Sequence, residues 1–245
     1  MVILEAKNVA KSYGGLKVLT DVNFDVKKGE ILGIIGPNGA GKTTFMNLVS
    51  RLTPITGGVI VYKGEIINDK KPYEIAKMGI ARTFQVVKPF GGLSVLENVM
   101  VGAFYGKNNV SSKVEAARIA EEALHIVGLA DVKNKDPRIL PLAKRKKLEV
   151  ARALAMGPEL LLLDEVMAGL SVKELDDMMK EIIKLKEKGI TIIAIEHVMK
   201  AIMGISDRIV VLHLGRKIAE GKPEDIVRNH EVIEAYLGSK YAKKE

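Results

Sequence analysis

Apolar and polar positions alternate near the start of the chain and give way to apolar runs further along. Residues 2–8 and 18–26 alternate as half-buried strands do, whereas residues 31–35 and 160–163 are continuous apolar runs. Residues 190–195 form a third, nearly continuous run. Short apolar runs bounded by turn signals are typical of strands buried on both faces. The pattern therefore predicts an antiparallel β layer at the N-terminus, followed by the strands of a mainly parallel core sheet.

Helical periodicity dominates between residues 90 and 157 and returns in the last third of the chain. Ser94 can cap the first of these helices, and the sequence SKVE at residues 112–115 fits a capping box for the second. Further helices are predicted at about residues 41–50, 143–156, 172–188, 198–203 and 223–237. Because strands and helices alternate around a helical middle, we predict an α/β fold whose core sheet is covered by helices.

The composition limits the chemistry that the chain can perform. The 245 residues include no cysteine, which excludes disulfides, thiol catalysis and cysteine-ligated zinc. The net charge of +8 favours phosphate-bearing or anionic partners. Aromatic residues make up only 4% of the chain, so we expect no nucleic acid that binds by base stacking. No apolar run approaches the roughly 18 residues of a membrane span and no secretory leader is evident, so we expect a cytoplasmic protein.

The most specific motif is a glycine-rich loop, GPNGAGKTT, between an apolar run and a predicted helix. It satisfies the pattern GxxxxGK[ST], whose glycines let backbone N–H groups surround a phosphate at a helix N-terminus. In such a loop the lysine reaches the β- and γ-phosphates and the following hydroxyl ligates Mg²⁺. The candidate phosphate-binding residues are Gly36, Pro37, Asn38, Gly39, Ala40, Gly41, Lys42, Thr43 and Thr44.

Two carboxylates, Asp164 and Glu165, end the apolar run at residues 160–163. Ligands of open α/β sheets bind at the carboxyl ends of the strands. We therefore expect Asp164 to hold Mg²⁺ and Glu165 to polarise the water that attacks a γ-phosphate. Gln85 and His197 each follow an apolar run and are candidates for the same site, although a histidine at a strand end is more often structural. Tyr13 either stacks on a base or is a surface aromatic residue in a turn.

Along the chain the motifs occur in the order Tyr13, the glycine-rich loop, Gln85, the acidic pair and His197. In this order they resemble the motifs of ATP-binding-cassette (ABC) ATPases over about residues 2–238. The resemblance implies that ATP and Mg²⁺ are bound, with Tyr13 against the adenine. It implies that Thr43, Gln85 and Asp164 ligate the metal and that Glu165, His197 and Gln85 are catalytic.

The resemblance also implies a domain organisation. Residues 1–85 and 158–238 would form the ATP-binding core, consisting of the β layer and the mainly parallel sheet. Residues 86–157 would form an inserted helical subdomain that carries the family signature, and residues 239–245 would be a frayed tail.

The family signature, Leu-Ser-Gly-Gly-Gln or close to it, falls here on Leu140, Pro141, Leu142, Ala143 and Lys144. In the family this segment meets the γ-phosphate bound to the opposite subunit. Pro141 has neither the serine hydroxyl nor an N–H group, and two glycines are replaced by larger residues. Lys144 brings a positive charge that could compensate. We therefore expect ATP bound to this chain to be hydrolysed normally when a partner supplies an ordinary signature, and ATP bound to the partner to turn over more slowly.

Several stretches are similar to the ATPases of branched-chain amino-acid importers, namely ARTFQ at 81–85, LEVARAL at 148–154, IEH at 195–197, MGISDRI at 203–209 and VIEAYLG at 232–238. This similarity implies an ATPase that powers import of branched-chain or other hydrophobic amino acids. Its partners would be membrane permease subunits, a second ATPase subunit of the same or another kind and, indirectly, an extracytoplasmic solute-binding protein. The chain would then lie on the inner face of the cell membrane.

Two other functions are compatible with the sequence. One is a soluble ABC ATPase outside transport, although such proteins usually carry two cassettes or a coiled-coil insertion. The other is a regulatory nucleotide binder with weak hydrolysis, which the unusual signature permits and the pair Asp164 and Glu165 argues against.

The basic segment at 131–147 is either a solvated helix face or a contact with nucleotide or partner.

Overall fold

The structure is a computed structural model and describes residues 1–237. Within that range the strands are β1 (Val2–Tyr13), β2 (Leu16–Lys27), β3 (Ile31–Ile35), β4 (Gly57–Tyr62), β5 (Glu65–Ile66), β6 (Ile80–Arg82), β7 (Leu160–Asp164), β8 (Thr191–Ile195), β9 (Arg208–His213) and β10 (Arg216–Gly221). The helices there are α1 (Lys42–Val49), α2 (Pro72–Lys77), α3 (Val95–Tyr105), α4 (Lys113–Ile126), α5 (Leu142–Ala155), α6 (Val172–Glu187), α7 (Met199–Ile205), α8 (Pro223–Ile226) and α9 (His230–Leu237). Short 3₁₀ turns lie at Ala130–Val132 and Pro137–Ile139. Among the described residues no helix has both the length and the apolar character needed to cross a membrane. The predicted frayed tail, residues 239–245, lies outside this range.

The chain divides into two compact units, one formed by Met1–Lys70 with Thr191–Glu245 and the other by Lys71–Ile190. The second unit contains the helices α3, α4 and α5, on which the expected helical subdomain rests. The functional division at residues 86–157 stays a prediction, because compactness alone groups these helices with β6, β7 and α6.

An antiparallel sheet in the first unit has the strand order β2-β1-β4-β5. Strand β1 pairs with β2 on one side, where Leu4 faces Val26, and with β4 on the other, where Leu4 faces Tyr62. These three side chains are fully buried, while their sequence neighbours are mostly more exposed. The alternation of polar and apolar residues therefore corresponds to one buried face, as a half-buried strand requires.

Parallel strands form the other layer of the first unit. Strand β3 lies between β8 and β9 and runs parallel to both, and β10 continues this layer antiparallel to β9. Every residue of β3 and β8 is buried, which explains why their sequences are apolar throughout. Because β3 and β8 are parallel, the loop at residues 36–44 and the segment containing His197 leave the sheet at the same edge.

The second unit contains a parallel pair of strands, β6 and β7, in which Ile80 faces Leu160 and Arg82 faces Leu162. All five residues of β7 are buried. The chain segment that leads to Gln85 and the acidic residues that follow β7 therefore emerge at the same strand edge.

Helix caps largely follow the sequence signals. Ser94 accepts a hydrogen bond from the Glu97 N–H at 3.2 Å, and the Glu97 carboxylate accepts one from the Ser94 N–H at 2.7 Å, which completes a capping box. At the next helix Ser112 accepts from the Glu115 N–H at 3.4 Å. This is the first half of the predicted box, and the box is not completed among the described residues.

One predicted helix is wrong. Residues 223–237 were expected to form a single helix, but the structure has a short helix α8 and a separate helix α9. The Asn229 side chain accepts a hydrogen bond from the Val232 N–H at 3.2 Å. An asparagine in this position begins a new helix, because its side chain satisfies an N–H group of the first turn.

Asn98 of helix α3 anchors the segment that follows Gln85. Its side chain is fully buried, accepts a hydrogen bond from the Phe90 N–H at 2.8 Å, and donates to the Ser94 carbonyl at 2.9 Å. It also donates to the carbonyls of Phe90 and Leu93, each at 3.2 Å. A loop without regular backbone pairing thus gains four polar contacts from one side chain.

Replacing Asn98 with Ala should lower the free energy of unfolding by about 2–3 kcal/mol, because buried backbone groups lose their partners. Urea unfolding followed by circular dichroism measures this change. Asn134→Ala is the matched control, since Asn134 is exposed and its loss should cost less than about 0.5 kcal/mol. Equal stability of the two variants would contradict the anchoring role of Asn98.

Candidate functional site

The glycine-rich loop joins β3 to α1, and its backbone conformation requires glycine. Gly36, Gly39 and Gly41 have φ angles of +150°, +80° and +99°. A Cβ atom at Gly36 would lie 2.0 Å from the Leu212 carbonyl oxygen, and one at Gly41 would lie 2.5 Å from the Leu19 side chain. The loop therefore packs its backbone directly against neighbouring strands, and Gly41, the N-cap of α1, has no side chain to cap the helix. This leaves the helix N-terminus suited to an anion.

Lys42 is buried at the start of α1 and folds back over the loop. Its ammonium donates hydrogen bonds to the carbonyl oxygens of Gly36 at 2.7 Å and Pro37 at 3.0 Å. Thr43, the next residue, is exposed. The remaining loop residues Asn38 and Gly39 are also exposed, so the face that would receive a phosphate is accessible.

Asp164, the last residue of β7, is 1% exposed and forms an ion pair with Arg82 of β6. The Arg82 guanidinium donates to one Asp164 carboxylate oxygen at 2.8 Å, and the Thr83 hydroxyl accepts a hydrogen bond from the Asp164 N–H at 3.1 Å. Both charged side chains are almost fully buried, so each depends on the other to compensate its loss of hydration.

The second carboxylate oxygen of Asp164, Oδ1, is buried and has no hydrogen-bond partner. A buried carboxylate oxygen of this kind suits a hard cation, and a hydroxyl, a carboxylate and an amide oxygen are donors that Mg²⁺ accepts. Asp164 and Gln85 carry such oxygens in the second unit and Thr43 carries one in the first, and their joint role as metal ligands stays a prediction. No cluster of three or more histidine, cysteine or acidic residues capable of holding a metal occurs in the described part of the chain. Mg²⁺ is typically held by one or two carboxylates together with substrate phosphates, which agrees with this sparse set.

Glu165 follows directly and has a left-handed backbone with φ +53°, which is unusual for a residue other than glycine. Such a conformation costs about 1–2 kcal/mol and persists only where surrounding contacts impose it. Two hydrogen bonds hold Glu165, one at its side chain and one at its backbone. The Gln85 amide donates to the Glu165 carboxylate at 2.7 Å, and the buried ammonium of Lys146 donates to the Glu165 backbone carbonyl at 2.7 Å.

His197 and Tyr13 belong to the first unit. His197 is exposed and lies two residues beyond the end of β8, after the buried Glu196. Tyr13 ends β1 and is 46% exposed, and the Lys11 ammonium lies 4.6 Å from its ring centroid. Lys11 is itself buried and donates to the Pro54 carbonyl at 2.7 Å. Tyr13 is thus packed against a cation and retains an exposed surface, so both interpretations of this residue stay open.

The unusual signature segment forms the beginning of α5. Pro141 is the N-cap with φ −55°, a value that proline favours, and it contributes no side-chain hydrogen bond. Leu142 is exposed, whereas Ala143 is buried. The Lys144 ammonium lies 3.3 Å from the Asp131 carboxylate, so part of its charge is already compensated within the chain.

Most of the basic segment at residues 131–147 is ion-paired within the chain. Lys133 pairs with Glu121 at 2.5 Å, Arg138 with Asp136 at 2.6 Å, and Lys147 with Glu181 at 2.6 Å. Hydrogen bonds from Arg138 lower the pKa of the Asp136 carboxyl. This pattern favours a solvated, internally paired face over a surface reserved for a polyanion.

Two residues of the acidic site were not found as site residues from the sequence. In the sequence Arg82 belongs to the stretch ARTFQ and Lys146 to the basic segment at 131–147, and neither was predicted to be a site residue. Both are charged residues at positions where the periodicity calls for a buried side chain. That mismatch was the available signal, because a buried charge needs a partner.

These features are those of a P-loop nucleotide-binding protein, and comparison with known sequences identifies its family. Residues 19–168 match the family described as ABC transporter, so the chain belongs to that family. Residues 216–242 match the family described as branched-chain amino acid ATP-binding cassette transporter. The resemblance, the expected fold class and the expected ATPase of the ABC type are thereby confirmed.

Individual relatives cover nearly the whole chain. The probable branched-chain amino acid transport ATP-binding protein LivG of Archaeoglobus fulgidus is 38% identical over 248 residues, which cover 98% of this chain and 96% of the relative. A solved ADP conformation of an ATP-binding cassette from an ABC transporter is 31% identical with a TM-score of 0.88, covering 98% of this chain and all of that one. A dimeric cassette in a post-hydrolysis state, bound to ADP and phosphate, is 29% identical with a TM-score of 0.82 and covers 90% of this chain and 99% of that one.

The loop glycines should differ in their tolerance to substitution. Gly36→Ala places a methyl group against a backbone carbonyl that cannot move aside, whereas a Cβ at Gly39 has no atom within 4 Å. We expect Gly36→Ala to weaken ATP binding at least about 100-fold or to prevent folding. Gly39→Ala carries only the left-handed backbone cost and should weaken binding by no more than about tenfold. Titration with a fluorescent ATP analogue measures both, with thermal unfolding of each variant alongside. Equal affinities of the two folded variants would contradict the role of Gly36.

Proposed function

We propose that this chain is the ATP-hydrolysing subunit of an ABC importer for branched-chain or other hydrophobic amino acids. The observation that carries hydrolysis is the arrangement at the end of β7, where Glu165 is held by Gln85 beside the unpartnered Asp164 oxygen. The class of transported solute is inferred from two descriptions that name branched-chain amino acids. One is that of the relative in Archaeoglobus fulgidus, and the other is that of the family that residues 216–242 match.

In this proposal each residue has a distinct task. The loop at residues 36–44 binds the β- and γ-phosphates of ATP through its backbone, and Lys42 exchanges its two carbonyl partners for phosphate oxygens. Thr43, Asp164 and Gln85 would hold Mg²⁺, which would neutralise charge on the phosphates. Glu165 accepts a hydrogen bond from the attacking water and orients it. His197 contacts the γ-phosphate, and Tyr13 contacts the adenine.

We expect the permease subunits to bind a surface connected to Gln85, and the second unit offers one. A cavity of about 240 Å³ is lined by Arg82, Phe84, Phe90, Tyr105, Arg152 and Met156, among others. The three aromatic residues in that list are each between 46% and 70% exposed. Arg82 lies 5.4 Å from the ring centroid of Phe84, which adjoins Gln85, so this surface and the acidic site share Arg82. We assign it to a membrane subunit, with the solute-binding protein acting on the far side of the membrane.

This assignment places the chain at the inner face of the cell membrane as a peripheral subunit. A second ATPase subunit completes the working unit, as in the dimeric cassette described above. The segment from Pro141 to Lys144 would face the nucleotide of that partner, and its departure from the family signature slows turnover of the partner's ATP. A regulatory nucleotide binder is the second candidate, and the same departure is the observation that favours it.

Replacing Glu165 with Gln should reduce ATP hydrolysis by at least about 100-fold and leave ATP affinity nearly unchanged, because only the group that orients the water is altered. Steady-state phosphate release and equilibrium binding of MgATP test this. Turnover within threefold of the wild-type rate would refute the role of Glu165. A wild-type chain that binds ATP without hydrolysing it would favour the regulatory function.

Glu165→Gln protein should keep nearly the same mass in solution when MgATP is added. Light scattering after gel filtration distinguishes a monomer from a dimer. We expect the chain alone to remain largely monomeric, because Pro141 offers neither a hydroxyl nor an N–H group to a nucleotide across the interface. Restoring the family signature by Pro141→Ser, Leu142→Gly and Ala143→Gly provides the control and should increase the dimer fraction. Full dimerisation of the unrestored chain would show that its signature serves a second copy of itself.

A further inference from the structure

Helix α5 carries a buried lysine that the proposed mechanism does not use. Lys146 is 5% exposed, and its ammonium donates to the Glu165 backbone carbonyl at 2.7 Å. Its neighbour Lys147 points elsewhere and pairs with Glu181 at 2.6 Å. A lysine is costly to bury, so its position on this carbonyl calls for an explanation.

The Glu165 carbonyl lies in the turn that gives this residue its positive φ angle. Within the turn the Ala168 N–H also approaches this carbonyl, at the long distance of 3.4 Å. The contact from Lys146 is shorter and carries a full charge, and such hydrogen bonds are the stronger kind. The backbone angles of Glu165 set the direction of its Cα–Cβ bond, so a contact that fixes the turn also fixes the point from which the side chain reaches Gln85.

The same helix also contacts the segment that follows Gln85, whose amide binds the Glu165 carboxylate. One turn beyond Lys146, the buried Glu149 pairs with Arg152, and burial raises the pKa of the Glu149 carboxyl while Arg152 opposes the shift. Arg152 lies 5.1 Å from the Phe90 ring centroid and donates to the Lys88 carbonyl at 3.4 Å. Helix α5 thus contacts both the Glu165 turn and the segment that follows Gln85.

We infer that Lys146 is a positioning residue for ATP hydrolysis, which acts by holding the Glu165 backbone so that the carboxylate meets Gln85 and the attacking water. The inference rests on the proposed function of Glu165. It assigns to α5 a task separate from its N-terminal signature. Helix α5, whose N-cap is Pro141, thus also holds Glu165 of its own chain through Lys146.

Lys146→Met removes the charge and the donor while keeping an unbranched chain of similar length. It should lower kcat for ATP hydrolysis at least tenfold and leave KM for ATP within threefold. Lys146→Arg retains a charged donor and should recover part of the loss. Lys147→Met is the matched control on the same helix and should keep kcat within twofold. An unchanged kcat in Lys146→Met would overturn the inference while leaving the proposed function intact.

A general loss of folding is distinguished by combining variants. If Lys146 acts through Glu165, adding Lys146→Met to Glu165→Gln should not lower the residual single-turnover rate further. A second tenfold loss in that background would overturn the inference. Amide hydrogen exchange, measured by mass spectrometry on the nucleotide-free full chain, should be faster at residues 165–168 in Lys146→Met than in Lys147→Met. Equal exchange there would overturn it as well. If the wild-type chain fails to hydrolyse ATP, the proposed function fails and the inference with it, whereas the exchange result still reports on the contact.

Discussion

Strands buried on both faces impose the main constraint on this molecule. Within β3, β7 and β8 nearly every side chain must be apolar, so polar chemistry can begin only where these strands end. The glycine-rich loop follows β3, His197 follows β8, and Asp164 ends β7 with Glu165 directly after it. In the first unit β3 and β8 are parallel, and in the second β6 and β7 are parallel, so within each unit the groups that follow these strands emerge at the same strand edge. The buried strands of the core therefore determine where the candidate residues lie along the chain.

Charge compensation is the second organising factor, since the acidic strand end places two carboxylates in a buried position. Arg82 neutralises Asp164, and Gln85 and Lys146 hold Glu165 by its side chain and its backbone. One carboxylate oxygen of Asp164 is left without a hydrogen-bond partner. A buried polar atom in that state is a cost that a bound cation would remove, so the ligand and the protein stabilise each other.

The sequence was informative wherever the signal was local. The glycine-rich loop, the N-cap at Ser94 and the buried strands could all be predicted, because each depends on residues close together in the chain. The contacts of Arg82 and Lys146 join residues 82 and 19 positions apart, which periodicity does not relate. The break between α8 and α9 was missed because the acidic start at residues 223–225 suggested one long helix, whereas the side chain of Asn229 begins a second one.

The structure of helix α5 explains how the departures from the family signature are accommodated. Pro141 has the φ angle that suits an N-cap, so the helix forms without the usual serine. Lys144 pairs with Asp131, and Lys146 is turned inward to the Glu165 turn, so neither ammonium is displayed as an isolated charge at the helix N-terminus. Both lysines therefore serve contacts within their own chain. The electrostatic compensation expected of Lys144 toward a partner's nucleotide is accordingly weaker than its formal charge suggests, because part of that charge is already balanced.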